Sequence, residues 1–553
     1  MYAMMCQMKI VLVVQIVMTC IMSCVHSMCP RGCHCDDSRL RTVCQSEAEL
    51  QFVPHTLNPA LKELILKNNH IRGVQSSLSV YRSLELLDIS FNQLTDLGEN
   101  NFLESNRIET MVLVTNSLTT LKNYTFNGLS SLKKLYLSDN KLEEINANVL
   151  KPLTLLQILD LSHNQIRYIS SAAFNGLTNL IDLNLRSNQL NAIPSNSFKF
   201  VPNIKALDLG SNMLINITKS SFASLANLSE LRLDACFINY IDIHAFNRLN
   251  NLTILRLNNN NLEEIPTNSF EDLIALEELK IGENHFVNIK SKVFSNLIHL
   301  RTLEITKSHS LSFVELGAFY GLTHLERLEL SHNKLLTNID NNVFSDTPNL
   351  QYLNLRANGF VTLQLGFVNT FDRKIFLDVR DNPLHCNCSL EWLYNYLMQS
   401  NTSSVKQVIN GSNDYISYPF FDLLGTIVGV QCESPPSLQS KLITDLHRDD
   451  FGCFELDTKI PIIIAILIGI LVFSGVIIIF VIRCKYGLSG LVKNQWFAAD
   501  NNTISGGSHR NDLNYRKPEF VFIPNIDINI DENNSALEET IRYPLKMTPI
   551  TEL

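Results

Sequence analysis

One pattern constrains this chain more than any other: it repeats itself about every 24 residues for more than 300 residues. In "LQILDLSHNQIRYISSAAFNGLTN", Leu156, Leu159, Leu161, Asn164, Ile166, Ile169, Phe174 and Leu177 fall at positions 1, 4, 6, 9, 11, 14, 19 and 22. The frame restarts at Leu61, Leu84, Ile108, Leu132, Leu156, Leu180, Ile204, Leu228, Leu252, Leu276, Leu300, Leu325 and Leu350, with a partial copy at Leu377–Leu384. A unit this short cannot bury its apolar face alone. Thirteen of them must stack into one elongated core, which also answers how 553 residues avoid the size limit of an ordinary single core.

The pattern predicts a short strand at positions 3 to 8 of each turn. Leucines at 4 and 6 face inward, and positions 3, 5, 7 and 8 face out on one continuous parallel sheet. At about 4.8 Å per strand, thirteen strands make an inner face roughly 60 Å long. The position-9 Asn sits where the chain leaves the strand, and its amide can pair backbone groups of the neighbouring turn. Cys236 replaces it in the eighth repeat, read as a structural thiol, and Ser308 in the eleventh, where one extra residue predicts a local irregularity.

A parallel sheet is normally covered on both faces, so an open face needs polar residues whatever its function. Position 5 is nonetheless segregated: Asp160, Asn184, Asp208, then Arg232, Arg256, Lys280, then Glu304 and Glu329. Cations on neighbouring strands repel by some tenths of a kcal/mol, with Glu230, Asp234, Glu278 and Glu283 near enough to offset this. The segregation marks Asp160, Asp208, Arg232, Arg256, Lys280 and Glu304 as candidate partner contacts.

With Phe at position 19, the repeat resembles the extracellular class of leucine-rich repeats. A stack needs its ends closed. "CPRGCHCDDSRLRTVC" precedes the repeats and "NPLHCNCSLEWLYNYL" follows them, with Cys432 and Cys453 further on. These stretches resemble the cysteine caps of extracellular leucine-rich repeat proteins. Spacing alone allows three pairings in each cluster. The resemblance implies Cys29–Cys35 with Cys33–Cys44, and Cys386–Cys432 with Cys388–Cys453. Zinc is the rival use of such cysteines, and an oxidising compartment argues against it. The C-terminal cap is longer than its relatives need. Its extra loop carries Tyr415, Tyr418, Phe420 and Phe421, suited either to binding or to folding back on the cap.

Two apolar segments set the topology. Lys9 followed by an apolar run from Ile10 to Met22 reads as a signal peptide cleaved after Ser27, the alternative being an uncleaved anchor. Residues 460–482 are 23 uncharged residues, long enough to cross a bilayer. Arg483, Lys485 and Lys493 follow them and four acids precede them, so the N-terminus is expected outside. On that side lie the N-x-S/T sequons at Asn123, Asn216, Asn227, Asn251, Asn387, Asn401 and Asn410. Asn227 and Asn251 share position 24, so sugars there would edge one side of the sheet. Inside, Cys484 beside Arg483 and Lys485 is a candidate palmitoylation site. The ending Thr551-Glu552-Leu553 has the form of a ligand for a PDZ domain, which takes a C-terminus by strand addition.

No metalloprotease, nucleophile-elbow, Walker or dinucleotide motif is present, and no basic tract points to nucleic acid. The expectation is a non-enzyme without cofactor. The expected divisions are signal peptide 1–27, N-terminal cap 28–60, repeats 61–373, C-terminal cap 374–453, linker 454–459, transmembrane helix 460–482 and disordered tail 483–553. The organisation resembles single-pass neuronal adhesion proteins such as the Slitrk and leucine-rich repeat transmembrane neuronal families, and the insect Capricious and Tartan plan. That resemblance implies a plasma-membrane adhesion or synapse-organising protein, binding an extracellular protein homophilically or heterophilically and a PDZ scaffold inside. The alternative is a receptor or co-receptor for a soluble or microbial ligand, resembling a Toll ectodomain and signalling through a partner subunit.

Overall fold

The computed structural model describes residues 29–485, except 46–47, 75–76, 341, 365–374, 404–428 and 454–458. The proposed signal peptide, Asn410, the aromatic loop and the Thr-x-Leu ending lie outside the described residues. The chain divides into two units, Met1–Glu455 and Leu456–Leu553.

The first unit is a β-solenoid of about thirteen turns. Among the described residues its main sheet has sixteen strands. It starts with the antiparallel pair Cys33–Asp36 and Arg41–Cys44, then continues in parallel through Glu63–Ile65 to Phe376–Asp378. Register is exact from turn to turn: Asp160, Asn184, Asp208, Arg232, Arg256, Lys280, Glu304 and Glu329 are successive neighbours. The strands are shorter than the pattern predicts and cover positions 3 to 5, as in Ile158–Asp160. The cause is position 8, which is left-handed in turn after turn: His163 at φ 53°, Ser187 at 55°, Ala235 at 53°, His332 at 62°. That bend ends the strand, although His163 N–H still donates to Arg186 O at 2.9 Å.

Inward positions form one contiguous core. Leu159, Leu161, Leu183, Leu185 and their counterparts are fully buried, and each contributes about 1.5–3 kcal/mol relative to exposure. Position 19 supplies a file of phenylalanines, with Phe198 and Phe222 stacked at 6.5 Å and Phe222 and Phe246 at 6.1 Å.

The position-9 asparagines tie the turns together. Asn164 Nδ2 donates to Leu137 O and Leu161 O, and its Oδ1 accepts from Leu142 N–H at 3.0 Å. Cys236 keeps only the donor half of that role, its Sγ lying 3.5 Å from Leu209 O. Burial pushes its thiol up to about 11. Among the described residues Ser308 accepts nothing from Phe286 and its buried Oγ has no partner, which is the irregularity at the eleventh repeat.

Among the described residues the opposite face holds three small parallel sheets besides turns. They are interrupted at Pro194 and Pro266, which lack the N–H that Asp242 donates to Ile217 O at the same position. Both prolines centre inverse γ-turns, with Ser195 N–H donating to Ile193 O and Thr267 N–H to Ile265 O.

Cystines close both ends: Cys29–Cys35 and Cys33–Cys44 at one, Cys386–Cys432 and Cys388–Cys453 at the other. Helix Glu391–Ser403 covers the last turn. Its Trp392 donates to Leu363 O at 2.9 Å, and Tyr396 donates to Ile375 O.

In the second unit, helix Lys459–Lys485 contains the apolar span Ile464–Arg483. It is long and apolar enough to cross a membrane. Cys484 lies on its last turn.

Candidate ligand-binding face

The outer side of the main sheet is uncovered by any described element, and positions 3, 5 and 7 line it. The six candidate contacts form one row across it, but the cations are not a free positive stripe. Arg232 pairs with Glu230 at 2.6 Å and Asp208 at 3.5 Å. Lys280 pairs with Glu304 at 2.9 Å and Glu278 at 3.9 Å, and Glu278 also lies 3.8 Å from Arg256. Two carboxylates expected to serve this row are used elsewhere. Asp234 holds Arg186 in a two-point contact of 2.7 and 3.2 Å, and Glu283 holds Lys307.

Arg186 reaches Asp234 two strands away because Gly210 lies between. A Cβ on Gly210 would sit 2.3 Å from Arg186 Nη1. On the basic side Arg186, Arg232, Arg256 and Lys280 are 31–38% exposed, a setting in which an ion pair fixes geometry more than it adds stability.

Two groups are left over. Of the three cations in the row Arg256 is the least engaged, and its buried Nε has no partner among the described residues. The carboxylate of Asp182, at position 3, has neither ion-pair nor hydrogen-bond partner among the described residues. It flanks a depression of about 270 Å³. Ala206 forms its floor, because a small residue stands there between Asp182 and Glu230 on adjacent strands. Tyr136 and Asp160 close the far side.

Burial, then the neighbouring Asp160, raises Asp182 above the ordinary carboxylate range against the pull of Arg232. Burial also raises Asp208, although Gly210 N–H, Arg186 and Arg232 favour its anion. Asp160 accepts from Ser162 N–H and Oγ–H. Reading only position 5 of the sequence misses Asp182. The signal was available in Asp182, Ala206 and Glu230 at consecutive position 3.

Among the sequons, Asn227 and Asn251 lie on the edge where the chain enters the strands, in a ladder with Asn179 and Asn203. Asn227 Nδ2 donates to Pro202 O at 3.2 Å and Asn251 Nδ2 to Ala226 O at 2.9 Å. Asn387 caps a helical turn through Ser389 N–H. Asn401 lies in the cap helix, and Asn123 and Asn216 are exposed. Cys388, Glu391 and Cys453 are grouped closely enough for a metal, but the two sulfurs are bonded to each other.

A leucine rich repeat model matches residues 106–166, 157–214 and 178–238, and a BspA type leucine rich repeat region model matches 239–364. The array of this chain is built of leucine-rich repeats. Among solved structures, its array is similar to the TLR13–ssRNA13 complex, with 25% identity and a TM-score of 0.50, covering 62% of this chain and 57% of that one. It therefore spans little more than half of the TLR13 chain. A leucine-rich repeat protein of Leptospira interrogans matches at 24% identity and TM-score 0.51, covering 64% and 81%. The mouse RP105/MD-1 complex matches at 19% and 0.50, covering 73% and 77%. The last two show the fold alone. The array has the leucine-rich repeat fold, with cystines near both ends and one apolar helix later in the sequence, an organisation consistent with a single-pass membrane protein.

Proposed function

We propose that this protein is a cell-surface adhesion or synapse-organising receptor that binds the ectodomain of a protein partner on the main-sheet face. The observation that supports this reading most is the uncovered lattice of fixed, paired charges, which leaves the Asp182 carboxylate unpaired among the described residues and Arg256 held only by Glu278 at 3.8 Å. A rigid surface whose own charges are largely paired offers shape, one unpaired carboxylate and one loosely held guanidinium, which suits selective protein recognition. The row Asp160, Asp208, Arg232, Arg256, Lys280 and Glu304 frames that contact. Cytoplasmic anchoring to a PDZ scaffold through Thr551, Glu552 and Leu553, and palmitoylation at Cys484, rest on sequence alone.

The test is binding of cells displaying the full-length protein to one another and to cells displaying candidate surface proteins. Arg256→Glu combined with Asp182→Lys should abolish the adhesion at unchanged surface level. Adhesion that survives this exchange overturns the assignment of the face. Deleting Leu553 should remove capture by immobilised PDZ domains and leave adhesion intact. Capture that persists without Leu553 refutes the anchoring.

Likeness to TLR13 supports a second reading, a receptor for a soluble ligand that signals through a partner subunit. Of the ligands such a receptor could take, RNA fits poorly, because Asp160, Asp182, Asp208 and Glu230 surround the depression and would repel phosphates.

A further inference from the structure

Exposed apolar side chains gather on the face opposite the main sheet, in the seventh and eighth repeats. Ile215 is 50% exposed and Tyr240 55%, with Met213 and Phe237 beside them. Asn239 N–H donates to Ile215 O and locks the two segments side by side. In the strands Asn216–Ile217 and Tyr240–Ile241, Asn216 stands opposite Tyr240 and Ile217 opposite Ile241. Both isoleucines are buried, so the alternation of a strand puts Asn216 and Tyr240 outside together, about 4.8 Å apart.

Asn216-Ile217-Thr218 is a sequon. Its carboxamide is exposed and without a hydrogen bond among the described residues, unlike those of Asn227, Asn251 and Asn387. On the far side of Tyr240 the sheet stops at Pro266, and a cavity of about 630 Å³ opens, lined by Tyr240, Ile243, Glu263, Glu264, Asn268 and Lys290.

We infer that Asn216 carries an N-glycan built into this face: its first N-acetylglucosamine lies on the ring of Tyr240, and the next sugar enters the cavity left by the eighth-to-ninth repeat break. The chemistry matches on both sides of the sugar. A pyranose presents apolar C–H groups on its flat face, which a tyrosine ring accepts. Its rim of hydroxyls needs donors and acceptors, and Glu263, Glu264, Asn268 and Lys290 supply them. The glycan thereby covers an apolar patch that would otherwise invite association. The inference rests on the extracellular reading of the chain.

The experiment uses full-length protein from mammalian cells, with glycan occupancy read at each sequon by peptide mass spectrometry. Asn216 is expected to be occupied, and its glycan to resist enzymatic release from the folded protein longer than that of Asn123. Asn216→Gln should lower the thermal midpoint by roughly 1–2 °C and raise binding of an apolar dye, while Asn123→Gln does neither. Tyr240→Ala should reproduce the loss and add nothing on top of Asn216→Gln. Should Asn216→Gln fail to reach the surface, the release rates on wild type and Tyr240→Ala decide, with faster release expected for Tyr240→Ala. An empty Asn216 beside an occupied Asn123, equal release rates at the two sites, or additive losses overturns the inference. Glycans at no sequon would overturn the extracellular reading itself.

Discussion

At the scale of single residues, the array is held by one side chain used repeatedly. Asn164 serves two turns at once, so Asn164→Ala should cost about 2–4 kcal/mol, the loss of several bonds with buried groups left unpaired, measured by chemical denaturation. Cys236 gives the converse test. It offers Leu214 N–H no acceptor comparable to Asn Oδ1, so Cys236→Asn should stabilise by about 1 kcal/mol. Asp182 makes a prediction in pH. Its carboxyl is raised in the folded state, so its ionisation opposes folding: the folded protein holds the proton more tightly and loses this contribution as pH rises through the raised value. Asp182→Asn should therefore melt higher than wild type at pH 7, with the difference closing as pH falls below the ordinary aspartate range. A difference independent of pH would contradict the assignment. The ladder asparagine was legible in the sequence because it recurs at one position with one chemistry. The left-handed residue before it was not. His163, Ser187, Ala235 and Lys307 share a backbone angle imposed by the turn, with no common side chain to reveal it.

At the scale of elements, strands and their register follow from leucine spacing, while their ends do not. The sequence put strands at positions 3 to 8, and the left-handed bend confines them to 3 to 5. Relief of that strain is measurable: Ala235→Gly should stabilise by about 1 kcal/mol, since only glycine adopts this angle freely. Gly210 is the opposite case, required for space. Gly210→Ala would push Arg186 off Asp234 and should destabilise by about 1–3 kcal/mol, because a largely buried carboxylate loses its partner. An unchanged denaturation midpoint would show that the pair is dispensable. Cysteine spacing left three pairings open in each cap, because connectivity is a property of how the first and last turns pack. The charge row was legible as residues but not as pairs. Which carboxylate serves which cation depends on reach, and Arg186 passing over Gly210 to a strand two places away leaves no trace in local sequence.

At the scale of the whole molecule, stacking thirteen turns creates a long rigid face that no described part of the chain covers. Closing its ends with cystines lets that face be polar without exposing the core. The fold and the strand register were therefore largely readable from periodicity, whereas the proposed binding centre was only half readable: Arg256 stood in the row, and Asp182 became visible only once Ala206 was seen to leave a depression beside it. The central claim is that recognition occurs there. The most direct test is aggregation of cells displaying the full-length protein, alone and mixed with cells displaying candidate partners, comparing wild type, the Arg256→Glu and Asp182→Lys double variant, and Tyr240→Ala on the opposite face. The account predicts adhesion by wild type and by Tyr240→Ala, and none by the double variant at equal surface display. Adhesion retained by the double variant and lost with Tyr240→Ala would place recognition on the other face and contradict it.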